Sequence, residues 1–141
     1  QNWLRQEKSY RAFGTELGRD ATPLEAGLDR FVDLSKDFHG KDAMVETGIR
    51  SKCVTFLIDG PDDADPWGRE ARYAGDTRVG RLTSGGYSVA FGKSIGMGYV
   101  SPDHAAPGTR LKVKMFDQLW DAEVAEDSPY DPKNETIRKD G

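Results

Sequence analysis

At 141 residues, with 36% hydrophobic and 31% charged side chains and a net charge of −4, the chain has the size of one ordinary domain with a small core and much surface. The acidic balance argues against nucleic acid as a partner. No apolar run approaches the roughly 18 residues that span a bilayer, so no membrane span is expected, and the lone Cys53 excludes an intrachain disulfide.

In chain order, residues 2–13 predict a short helix with Leu4, Lys8 and Arg11 on one side and Trp3, Tyr10 and Phe13 as aromatic bulk. Its apolar stripe is poor, so it needs a partner surface. Gly14 and Gly18 can end it. Thr22-Pro23 places an N-cap before proline at the first helical position, which predicts a brief helical turn limited by Gly27. Residues 30–34 could be extended, and 39–45 could form a helix before Gly48.

After Gly48 the pattern becomes strand-like. Strands are expected over 52–59, 70–73, 77–84 and 94–100, with a Pro- and Asp-rich loop over 60–68. Residues 110–116 alternate with Leu111, Val113 and Met115 inward, and 119–126 alternate with Trp120, Ala122 and Val124 on one face. Asp117-Gln118 is short enough for a hairpin, across which Lys112 or Lys114 can face Asp121 or Glu123. Six short strands suggest a mainly β fold, a small antiparallel Greek-key-like barrel whose closure removes aggregation-prone edges. The tail 128–141 has little to bury and should wrap over the barrel or fray.

Several motifs invite chemistry and fail. Gly92-Lys93-Ser94 lacks the glycine that a phosphate loop needs five positions earlier, where Tyr87 stands. Asp62, Asp63 and Asp65 do not have EF-hand spacing. His39 and His104 are the only histidines and sit in no ligand cluster, so no metal is expected. Cys53, in an apolar run, reads as a small buried hydrophobe. Charge is uneven: residues 1–19 hold Arg5, Lys8, Arg11 and Arg19 against Glu7 and Glu16, which suits a small anionic ligand better than a polyanion.

Three phrases carry a resemblance. The first runs from Leu4-Arg5 through Glu7-Lys8, Tyr10, Gly14 and Glu16-Leu17. The second is Thr22-Pro23-Leu24-Glu25-Ala26-Gly27-Leu28, continuing to Asp37-Phe38-His39-Gly40-Lys41-Asp42-Ala43. The third is Val79-Gly80-Arg81-Leu82-Thr83-Ser84-Gly85-Gly86, then Ile95-Gly96-Met97-Gly98-Tyr99-Val100, then Pro107-Gly108-Thr109. In register over nearly the whole chain, they resemble the C-terminal portion of the folate-dependent aminomethyltransferase (glycine cleavage T protein) family. The ending from Glu126-Asp127 to Pro132-Lys133 is most similar to the close of dimethylglycine and sarcosine dehydrogenases.

The resemblance implies a remnant of a folate-binding domain over 1–46, with short α and β pieces, then a C-terminal barrel over 50–127 and a tail over 128–141. It implies tetrahydrofolate as the acceptor of a one-carbon unit from an N-methyl amine. FAD would belong to an earlier, absent part if the parent is dehydrogenase-like. Arg5 is the residue expected to touch folate, because its planar fork suits amide and carboxylate oxygens. Tyr10 is expected to line the same cleft, and Glu25 to cap local backbone. No catalytic residue is expected here, since the family's reactive carboxylate lies earlier. The chain alone is thus expected to be inactive, to need the preceding part of the same polypeptide as partner, and to self-associate through exposed apolar surface. The same resemblance implies bacterial cytoplasm or mitochondrial matrix. A T-protein fragment and an independent β-barrel binding module stay open as alternatives.

Overall fold

The barrel is closed by six antiparallel strands: β1 (Lys52–Ile58), β2 (Ala71–Ala74), β3 (Thr77–Ser88), β4 (Lys93–Val100), β5 (Arg110–Met115) and β6 (Gln118–Val124). In this computed structural model, which describes residues 2–60, 66 and 70–139, the strands are ordered β1-β4-β3-β2-β5-β6 around the barrel. β2–β3, β3–β4 and β5–β6 are neighbours in sequence and space, while β1 closes between β4 and β6. The fold is therefore the mainly β, Greek-key-like barrel that the alternation predicts.

The interior is filled by Phe56, Ile58, Leu82, Val100, Leu111, Val113, Met115, Ala122 and Val124. Leu111, Val113 and Met115 point inward as expected, and Trp120 packs at the edge of that cluster. Across the β5–β6 hairpin Lys112 stands opposite Asp121, with Nζ 2.7 Å from Oδ1. The turn is Phe116-Asp117, one residue earlier than the sequence suggests, and both residues have positive φ (50° and 59°). Gly96 and Gly98 on β4 leave interior room: a Cβ at Gly96 would meet Leu82 Cδ2 at 2.6 Å, and one at Gly98 would meet Arg72 Nη2 at 2.9 Å. Arg72 uses that room to lie fully buried over the Phe56 ring, 3.6 Å from its centroid. Burial pulls its pKa down to about 9.

β4 is buried on both faces. Its outer side chains Met97 and Tyr99 form a second small core with Cys53 and Ala21, beneath the N-terminal segment. Trp3 lies over Gly86, and the Glu25 carbonyl accepts the Cys53 N–H at 2.8 Å. Among the described residues the helices are α1 (Asn2–Glu7), which packs on β3 and β4, α2 (Lys41–Thr47) and α3 (Glu135–Lys139).

Four local expectations need correction. The first helix stops at Glu7 instead of running to 13. Ser9 takes a left-handed conformation (φ 54°), Tyr10 N–H donates to the Arg5 carbonyl and Ser9 N–H to the Gln6 carbonyl. That is a Schellman stop made by a serine, held because its hydroxyl meets Thr55 Oγ1 at 2.7 Å and accepts the Ser128 N–H at 2.9 Å. Residues 29–31 form a 3-10 turn in place of an extended piece, and the 39–45 helix begins later, at Lys41. β3 continues to Ser88 instead of ending at Ser84, since the glycines at 85 and 86 let Pro66 and Trp3 pack close. The loop 60–68, with its aspartates, falls almost wholly outside the described residues.

Candidate functional site

The tightest polar cluster outside the barrel forms around Glu16. Residues 12–17 curl about one carbonyl: Ala12 O accepts the N–H groups of Thr15, Glu16 and Leu17. This curl points the Glu16 side chain inward, where it is wholly buried. Oε2 accepts from Arg5 Nη1 at 2.9 Å, Ala12 N–H at 3.0 Å and Thr15 Oγ1 at 2.7 Å. Oε1 accepts from Thr83 Oγ1 at 2.7 Å and from Ser84 Oγ. Burial alone would raise the carboxyl pKa, but these donors outweigh it and lower the value to about 2. The Tyr99 hydroxyl donates to the Glu16 carbonyl at 2.7 Å, and burial pushes that phenol up.

Arg5 rises from α1 into this cluster. Besides Glu16, its Nη1 reaches the Tyr10 carbonyl at 2.9 Å and lies 3.9 Å from Met97 Sδ. A fifth of its side chain remains accessible. The Tyr10 ring is turned elsewhere, 60% exposed, into a cleft of about 380 Å³. That cleft lies between the N-terminal segment and the tail, and Arg5 does not line it. Lys8, Arg11 and Arg30 bring cations to it, and Phe31 adds a second exposed ring. Arg11 Nη1 donates to the Ser9 carbonyl (2.6 Å) and to Asp127 (2.9 Å), while its buried Nε has no hydrogen-bond partner. So Arg5 and Tyr10 are joined through backbone, not by side chains facing one space.

The tail docks on this region and also reaches the barrel at the β3–β4 turn, where the Tyr130 and Phe91 rings meet edge to face. Tyr130 N–H donates to the Glu7 carbonyl at 3.0 Å, and Lys8 Nζ donates to Asn134 Oδ1 at 2.8 Å and to the Asp131 carbonyl. Glu25 is structural: it accepts Thr22 N–H (2.9 Å) and returns its own N–H to Thr22 Oγ1 (3.2 Å), a capping box. Arg50 Nε also holds it at 3.0 Å, and these bonds lower its pKa to about 2. The Cys53 thiol is buried and pushed up to about 11, which leaves it unreactive at neutral pH. Among the described residues no group of three His, Cys, Asp or Glu side chains converges as a metal site. No described helix is long and apolar enough to cross a membrane.

The family model for the glycine cleavage T-protein C-terminal barrel domain matches residues 52–131, which is more than half the chain. The chain belongs to that family. Mitochondrial dimethylglycine dehydrogenase of Rattus norvegicus is 34% identical over 99% of this chain, which spans 17% of that protein. An aminomethyltransferase of Thermosynechococcus vestitus is 36% identical over 90% of the chain, which spans 35% of it. The fold also matches the crystal structure of the glycine cleavage system aminomethyltransferase T from Bartonella henselae, with a TM-score of 0.82 at 22% identity over 93% of the chain. The six-stranded barrel is thus this family's C-terminal domain. What sequence reasoning missed is Glu16, in the N-terminal segment, and its partners Thr83 and Ser84 on β3. Their only sequence signal was a carboxylate in a glycine-bounded loop, which does not reveal five donors.

Proposed function

We propose that the chain forms one wall of a folate cleft in a larger aminomethyltransferase-type enzyme, which passes one-carbon units from an N-methyl amine to tetrahydrofolate. In this reading residues 1–46 belong to the folate-binding domain, 50–127 form its barrel wall and 128–141 brace the two. The preceding part of the polypeptide is the essential partner, carrying the reactive carboxylate and, in a dehydrogenase-like parent, the flavin. The compartment is the mitochondrial matrix or the bacterial cytoplasm, as for such enzymes.

The observation that carries the reading is the fixed guanidinium of Arg5, partly accessible and anchored by a buried carboxylate. The donors available here fit an oxygen-rich anionic ligand. Arg5 would hold amide, pterin or carboxylate oxygens of the folate, and Lys8 and Arg11 supply positive potential beside the Tyr10 cleft. Folate supplies the nucleophilic nitrogen that captures the one-carbon unit. This chain's residues orient it and exclude water, so their contribution is proximity and electrostatics.

The test is product analysis on the polypeptide in which the rest of the transferase fold precedes this chain. With the flavin part also in place, and given an N-methyl amine, tetrahydrofolate and an electron acceptor that reoxidises the reduced flavin, it should yield 5,10-methylenetetrahydrofolate, the flavin taking the two electrons of amine oxidation; Arg5→Met should raise the folate KM about tenfold or more. Equal folate KM in both proteins, or one-carbon transfer by the 141-residue chain alone, would contradict it.

A further inference from the structure

We infer that Glu16 is a positioning residue for Arg5, and that a β-bulge in the barrel wall holds it in place. The inference rests on the proposed folate role of Arg5 and adds how that guanidinium is aimed. The register of β3 against β4 steps from Leu82↔Gly98 to Ser84↔Met97, so Thr83 is an extra residue. In a regular strand, neighbouring side chains point to opposite faces. The bulge breaks that alternation, and both Thr83 and Ser84 place their hydroxyls on one oxygen of Glu16. Leu82, just before the bulge, stays in the barrel interior.

The two carboxylate oxygens thus do different work. Oε1 is bound to the barrel, and Oε2 is bound to the N-terminal segment through Ala12, Thr15 and Arg5. A buried ionised carboxylate is costly unless its lone pairs are filled, and here five donors fill them. Structural stability alone could be served by an apolar contact at this place. What the charged clamp adds is direction. It draws Nη1 of Arg5 to one side, between the Tyr10 carbonyl and Met97, and so fixes the orientation of the guanidinium. Through this side chain the barrel acts on the site.

The experiment uses the intact polypeptide and 5-formyltetrahydrofolate, a stable folate, as probe. Dissociation constants are measured by calorimetry for wild type, Glu16→Gln, Ser84→Ala, Arg5→Met and Glu16→Gln/Arg5→Met, alongside thermal melts and the Arg5 guanidinium NMR signals without ligand. Glu16→Gln should weaken binding about tenfold, the loss of one charge-assisted bond, and should weaken it no further in the Arg5→Met background. Ser84→Ala should act in the same direction but less. In wild type the Arg5 Nη protons should be dispersed, and Glu16→Gln should collapse them. If Glu16→Gln leaves those signals fixed, or weakens binding equally with and without Arg5, the inference is overturned. If Arg5→Met itself leaves affinity unchanged, the folate reading fails, and the ligand-free signals alone decide whether Glu16 positions Arg5.

Discussion

Single side chains make the sharpest claims. Gln6 is fully buried on α1, and neither its amide nitrogen nor its amide oxygen has a partner. A buried amide without bonds costs its desolvation with no return. Gln6→Leu, close in volume, should therefore raise stability by about 1–2 kcal/mol in a urea titration. A loss would mean the amide is satisfied in solution. Glu16 makes the opposite case. Its pKa falls from the ordinary 4.5 to about 2 on folding, so the folded state holds the charge more tightly than the unfolded chain. The stabilisation is fully present above 4.5 and is lost as the pH falls through about 2. Melting temperature should fall on acidification across that window, and less steeply in Glu16→Gln. Identical slopes would show that Glu16 does not titrate there. None of this was legible in the sequence. Arg5 and Tyr10 stand out on a family phrase, but the side chains that fix Arg5, those of Glu16 and Met97, lie 11 and 92 positions away, and only the fold brings them together.

At the level of elements, alternation told most. Strands β5 and β6, with their inward Leu111, Val113, Ala122 and Val124, could be read directly, because a two-residue period with one buried face leaves few options. The N-terminal helix could not. Its stop is set by Ser9, whose left-handed backbone is unfavourable alone and is held by Thr55 and Ser128. The β3 bulge was invisible for a similar reason: Thr83-Ser84 carries no turn signal. The β5–β6 turn is the weakest local link, since Phe116 and Asp117 both adopt positive φ without being glycine. That geometry is the type I′ turn that favours Asn-Gly. Phe116→Asn with Asp117→Gly should raise stability by ~0.5–1 kcal/mol, measured by denaturant unfolding. Gly98→Ala should do the reverse, by ~2 kcal/mol or more, because its Cβ would press on the Arg81 carbonyl, which is backbone, and on Arg72.

Viewed whole, the molecule is lopsided. The barrel has a filled interior, while the N-terminal third exposes Leu4, Phe13, Phe31, Val45 and Ile49, with Phe13 90% exposed. So much apolar surface in so short a stretch is what a larger protein would cover. The curated relatives fit that picture, since the chain spans 17–35% of their length. The isolated chain should therefore self-associate in sedimentation velocity, and Phe13→Ser with Phe31→Ser should reduce it. A monomer at all concentrations would say that this face needs no cover. The central claim is that Arg5 reads folate with a planar fork, and Arg5→Lys tests it most directly, since lysine keeps the charge beside Glu16 and loses the fork. Calorimetric titration of the intact polypeptide with 5-formyltetrahydrofolate should show binding about tenfold or more weaker in Arg5→Lys at a nearly unchanged melting temperature. Equal affinity in the two proteins would contradict the account.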